Sequence, residues 1–169
     1  TDSPAARLQA YNDVTTELQE IIAQAVKRKK TLRAQGSSWS LSKVAVTDHE
    51  LINTKPLRIG FTIPASQTSP GYVGDREKLR FLECGLSIAE INNILFKDRL
   101  SLKASASNNG QTLPGVISTN THGSAFRFGA TPDFVVGIHL ITGPSKHVYL
   151  ERASYPVVQD SFADMLGAQ

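Results

Sequence analysis

Two stretches dense in glycine and hydroxyl-bearing residues limit what this chain can build. The first is Gly36-Ser37-Ser38-Trp39-Ser40-Leu41-Ser42. The second is Gly110-Gln111-Thr112-Leu113-Pro114-Gly115-Val116-Ile117-Ser118-Thr119-Asn120-Thr121-His122-Gly123-Ser124. Neither carries the apolar periodicity of a long helix or strand, so regular elements must stop on either side of them. The two loops share one chemistry. Glycine lets backbone N–H groups approach a ligand closely, and serine and threonine hydroxyls add donors, which suits an anion such as phosphate. The plain alternative for each loop is a solvated connector. Pro114 is compatible with the first turn of a helix, so residues 113–118 are expected to form a short helix with its N-terminus free for an anion.

The segments between these loops read as short helices and strands. Val14, Leu18, Ile21, Ile22, Ala25 and Val26 recur at helical spacing, with Thr16 and Gln19 as a candidate capping box at the start. The basic run Lys27-Arg28-Lys29-Lys30 falls at the other end, where cations meet the last carbonyls. Residues 31–34 and 50–54 are expected as strands and residues 64–76 as a surface loop. Residues 78–84 are expected as a strand ended by Gly85. Ser87 and Glu90 form a second capping box, opening a helix of about three turns through Ile88, Ile91 and Leu95. Residues 99–102 are expected as a short strand. Residues 134–142 and 147–151 form a hairpin around Gly143-Pro144-Ser145-Lys146, and residues 162–166 begin a last helix.

Composition narrows the class. The chain has 169 residues, 40% of them hydrophobic and 20% charged, which fits a globular domain with a real core. One cysteine excludes an internal disulfide framework and a cysteine-rich zinc site. A net charge of +3 does not indicate a nucleic-acid partner. No apolar run reaches the roughly 20 residues that span a bilayer, and residues 1–6 show no secretory signal. The four histidines lack metal-ligand spacing, and Cys84 reads as a small buried hydrophobe.

Taken in order, these features resemble the flavin-binding domain of the vanillyl-alcohol oxidase and p-cresol methylhydroxylase superfamily. They are most similar to its branch of aldonolactone and alditol oxidases. The Thr121-His122-Gly123-Ser124 ending is the specific part, and Asp133-Phe134-Val135-Val136-Gly137 onward is similar to the family's following strand. The resemblance implies an α+β fold with mixed and antiparallel sheets flanked by helices. It also implies two lobes, at about residues 11–107 and 108–169, with FAD between them. Ala34, Gln35, Gly36, Ser37, Ser38, Trp39 and Ser40 would wrap the pyrophosphate. Thr112, Gly115, Ser118, Thr119, Asn120, Thr121, His122 and Gly123 would contact phosphates, ribityl chain and flavin edge.

Aligned on Gly36 and Ser40, Trp39 stands where many relatives carry a histidine that bonds the flavin covalently. An indole cannot make that bond, so FAD is expected to be non-covalent. Trp39 either packs on the flavin ring or anchors the loop. No residue is assigned a catalytic role, His122 included. The implied enzyme is an alcohol, sugar or lactone oxidase or dehydrogenase, whose small-molecule substrate is met by a substrate domain absent from these 169 residues. The family's glycine segment begins at Gly167-Ala168-Gln169 and is cut off there, so this chain alone is expected to be inactive. Two alternatives differ in class: a non-catalytic module with a decayed flavin site, and an unrelated α+β protein binding a sugar phosphate or nucleotide.

Overall fold

A computed structural model describes residues 3–168. Its elements are small: four helices, six short strands and a few single turns of tighter helix among the described residues. They divide into two compact units that interleave along the chain. One takes residues up to 31, then 59–81 and 136 onward; the other takes 32–58 and 82–135. The expected single boundary near residue 108 is not where this division falls. It follows contacts between distant segments, which a linear reading of loops does not register.

In the first unit, helix α1 (Pro4–Lys27) begins at Ser3, whose Oγ accepts the Ala6 N–H at 3.2 Å, with Pro4 in the first turn. The helix thus starts three turns before the expected Thr16 cap. Thr16 instead lies inside it and donates its hydroxyl to Asn12 O at 3.1 Å. The basic run does sit at the C-terminal end, as the helix dipole favours. Strand β3 (Gly60–Thr62) pairs with β4 (Arg80–Leu82). β5 (Gly137–Gly143) and β6 (Lys146–Glu151) form the expected antiparallel hairpin, and α4 (Asp160–Met165) follows. The core joins Ile63, Leu79, Val157, Val158, Phe162 and Leu166. Residues 64–76 are more than a surface loop: Thr68 is buried and bridges Val158, and Ser69 N–H donates to Val157 O at 2.9 Å.

In the second unit, β1 (Leu32–Gln35) and β2 (Glu50–Asn53) pair in parallel, Leu32 with Glu50 through Gln35 with Asn53. Parallel neighbours need a crossover of a dozen or more residues, and residues 36–49 supply it without a helix. Helix α2 (Ile88–Lys97) opens on the expected box: Glu90 N–H donates to Ser87 Oγ at 3.3 Å, and Ser87 N–H to Glu90 Oε2 at 2.8 Å. These Ser87 bonds, helped by Arg58 and Lys55, hold the Glu90 carboxyl below its ordinary range. Ile88, Ile91 and Leu95 are buried with Leu86 and with Val116 of α3 (Leu113–Ser118).

Residues 99–102 are not the expected strand. Arg99 takes a positive φ of 58°, and Leu100 N–H closes back on Leu95 O at 2.9 Å, so the alternation there serves a helix stop. Leu100 and Leu102 then pack against the α2 core. Among the described residues no helix is long and apolar enough to cross a membrane.

Candidate functional site

Both loops that stand out in the sequence belong to the second unit, and the fold brings them together. Loop 36–42 leaves β1 at Gln35, whose side chain donates to Ser38 Oγ at 2.6 Å while Ser38 adopts a φ of 58°. Ser40 and Ser42 join their hydroxyls at 2.9 Å. Gly36 lies against the side chain of Thr112, close enough that an added methyl group would collide with Thr112 Oγ1. Gly110 lies under the indole of Trp39, where a methyl would come 2.8 Å from Cζ2. Two glycines, one from each loop, therefore each lie against a side chain of the other loop.

The second loop is held by α2. Ala89 N–H donates to Asn109 O at 2.8 Å and Ile88 N–H to Gln111 O at 3.0 Å, while Ser87 bridges Thr112. With Glu90 and Ile91 N–H engaged by Ser87, the first four donors of α2 are all used. The start of α3 is also less open than expected. Leu113 N–H donates to Leu86 O at 2.9 Å and Pro114 has no N–H, so the first two residues of α3 offer no free backbone donor.

Beyond α3, Thr119 Oγ1 reaches Gly115 O and Thr121 Oγ1, each at 2.9 Å. Asn120 takes a φ of 52°, and Thr121 O accepts both the N–H and the hydroxyl of Thr131. His122 Nδ1 lies 2.9 Å from Gly123 O. A carbonyl only accepts, so Nδ1 carries the proton of this contact, and in the neutral ring Nε2 is then an acceptor. Asn120, His122, Gly123 and Phe128 line an open hollow of about 410 Å³.

The candidates thus fall into three places. Gly36, Ser37, Trp39, Thr112 and Gly115 lie at or beside the loop–loop contact. Ser118, Thr119, Asn120, Thr121, His122 and Gly123 continue from α3 to the hollow. Ala34, Gln35, Ser38 and Ser40 belong to β1 and the exposed side of the first loop. Trp39 is 50% exposed, with its indole against Gly110 of the other loop.

Ser37 Oγ is buried and has no hydrogen-bond partner among the described residues. So are Asn109 Oδ1 and Gln111 Oε1, two amides that the sequence reading did not single out. Their signal was their place on either side of Gly110. Outside this unit, His139 and His147 form a hydrogen-bonded pair, a contact visible only once the hairpin register is known. Cys84 is a free, half-buried thiol, and burial pushes its pKa up. Among the described residues no cluster of three or more histidine, cysteine or acidic groups could hold a metal ion.

With this geometry established, comparison with known proteins gives the class. Residues 10–150 match the family model described as FAD binding domain. The chain belongs to that family, and FAD is its cofactor. Among curated relatives it is 28% identical to the D-arabinono-1,4-lactone oxidase of Kluyveromyces lactis over 84% of this chain and 26% of that protein. It is 30% identical to the enzyme of the same name from Debaryomyces hansenii, over 77% of this chain and 24% of that one. The L-gulono-1,4-lactone dehydrogenase of Mycobacterium tuberculosis is 29% identical over 75% and 27%. The chain spans about a quarter of the length of these relatives.

The residues present suit such a group. Gly36 and Gly110 add no side-chain carbon of their own where the loops meet, Ser37 carries a buried hydroxyl without a partner among the described residues, and the hydroxyl donors are neutral. Neutral donors bonded to an ionised pyrophosphate form charge-assisted hydrogen bonds, stronger than neutral pairs.

Proposed function

We propose that this chain is the FAD-holding part of a flavin-dependent oxidoreductase acting on an alcohol, sugar or lactone, with a 1,4-lactone of a sugar acid as the favoured substrate class. The relatives carry such lactones in their names. The observation that supports the reading most is the meeting of the two loops at Gly36–Thr112 and Gly110–Trp39. Residues 34–40 and Thr112 would hold the pyrophosphate. Gly115 and residues 118–123 would hold the ribityl chain and the flavin edge, with His122 Nε2 accepting a hydrogen bond. Bound FAD would supply the hydride acceptor; the protein's part is to bind, orient and exclude water. In this reading FAD is held by a two-lobed fold of the p-cresol methylhydroxylase type.

We further propose non-covalent FAD, because an indole at Trp39 offers no nucleophilic nitrogen for a histidyl-type bond. The test is to load the purified chain with FAD, remove the excess and precipitate with acid. Flavin retained by the folded protein and released to the acid supernatant is the expected outcome. Flavin in the pellet overturns the non-covalent assignment. A colourless protein that FAD does not stabilise overturns the proposal and leaves a decayed module.

A further inference from the structure

The first unit contains a chain of hydrogen bonds that the flavin reading does not use. Tyr11 Oη of α1 lies 2.5 Å from His139 Nδ1 on β5, and His139 Nε2 lies 2.7 Å from His147 Nδ1 on β6. The two imidazoles also meet edge to face with centroids 4.9 Å apart, and the Tyr11 and His139 rings lie tilted to each other at 5.6 Å. The register explains the pair. His147 sits opposite Ile141, two residues from His139, so both rings project from one face of the hairpin.

Proton counting limits what this chain can do. In the neutral state the Tyr11 hydroxyl donates to His139 Nδ1, and His139 Nε2–H donates to His147 Nδ1. One added proton is accommodated by reversing both bonds: His147 Nδ1–H donates to His139 Nε2, and His139 Nδ1–H donates to the Tyr11 oxygen. The positive charge then sits on His147, at the end of the chain. A second proton has no such solution. It puts two N–H groups and two positive charges face to face across 2.7 Å.

We propose that Tyr11, His139 and His147 form an acid latch between α1 and the β5–β6 hairpin, which admits one proton by reversing its hydrogen bonds and opens on the second. The surroundings favour this order. Burial, then the charge of His147, lowers the His139 pKa to about 4. From α1 His139 faces Tyr11. From β6 it faces His147 and its cross-strand partner Tyr149, whose hydroxyl is bonded to Glu151 and whose ionisation burial pushes far upward. Gly167, after α4, meets the His147 ring.

The experiment is an imidazole nitrogen NMR titration of the whole chain from pH 8 to 3.5, with amide exchange of α1 measured alongside. Two separate proton uptakes are expected. Only the second should coincide with exchange of α1 faster, by about tenfold or more, than chemistry alone predicts. His147→Gln supplies the decisive contrast. Its amide oxygen still accepts from His139 Nε2–H but takes no proton. The His139 midpoint should therefore rise while α1 stays protected at pH 4. Independent titration of the two histidines, or acid opening of α1 in the His147→Gln chain as in the parent, overturns the latch.

Discussion

At the scale of single residues, Gly36 does most to let the two loops meet. A methyl there would collide with Thr112 Oγ1 and lie 3.0 Å from its Cγ2, and Thr112 is itself buried and cannot swing away. Gly36→Ala should cost about 1–3 kcal/mol by overpacking and weaken FAD retention more than tenfold. Urea unfolding and FAD titration measure the two effects. Adding Thr112→Ala should recover part of the stability, because the two changes share one collision and cannot be additive. Additive losses would show that Gly36 acts through its backbone alone. Sequence made the glycine and the threonine visible as members of two motifs. It could not show that they touch, nor that the Trp39 partner is Gly110, since those contacts join segments more than seventy residues apart.

At the scale of elements, the clearest parts of the sequence were those where a local bond makes the signal. The Ser87–Glu90 box needs four adjacent residues and sits where expected. Helix α1 starts before its expected cap because Ser3-Pro4 opens it upstream of the strongest apolar stripe, and Thr16 satisfies its hydroxyl by bonding back within the helix. Residues 99–102 alternate like a strand, yet the positive φ of Arg99 turns the chain before any partner can pair. Ser87→Ala should cost about 1 kcal/mol through the lost cap. Because Ile88 and Ala89 N–H hold Gln111 and Asn109, FAD affinity should fall with it, by less than about fivefold. An unchanged affinity would mean that the second loop holds itself.

The β5–β6 hairpin contributes to the acid limb of stability through His139. His139 has a folded pKa of about 4 against an ordinary value of 6.5, so the unfolded chain binds more protons between those values. The His139 contribution is therefore full above about pH 6.5 and falls as the pH drops towards 4. The loss is about 2 kcal/mol at most, once solvent screening of a part-exposed ring is counted. Chemical unfolding at pH 7, 5.5 and 4.5 checks the sign. His139→Gln should flatten the curve over that window.

At the scale of the whole molecule, the two units carry different levers. The candidate flavin residues all fall in residues 32–58 and 82–135, and the histidine latch falls entirely in the other unit. This division could not be seen in the sequence, because each unit is assembled from separated stretches and the motifs mark loops rather than contacts. Ligand binding stabilises the state that holds the ligand, in proportion to the logarithm of its concentration over Kd. FAD should therefore slow amide exchange first and most at residues 36–42 and 109–123, with a thermal midpoint that climbs as FAD is raised. Acidification should instead speed exchange in α1, β5 and β6. Mapping both perturbations on one sample by hydrogen exchange separates them. Equal protection of both units by FAD would place further cofactor contacts outside the two loops and make the chain a single cooperative body. Protection confined to the second unit would show that the loops bind flavin without help from the first.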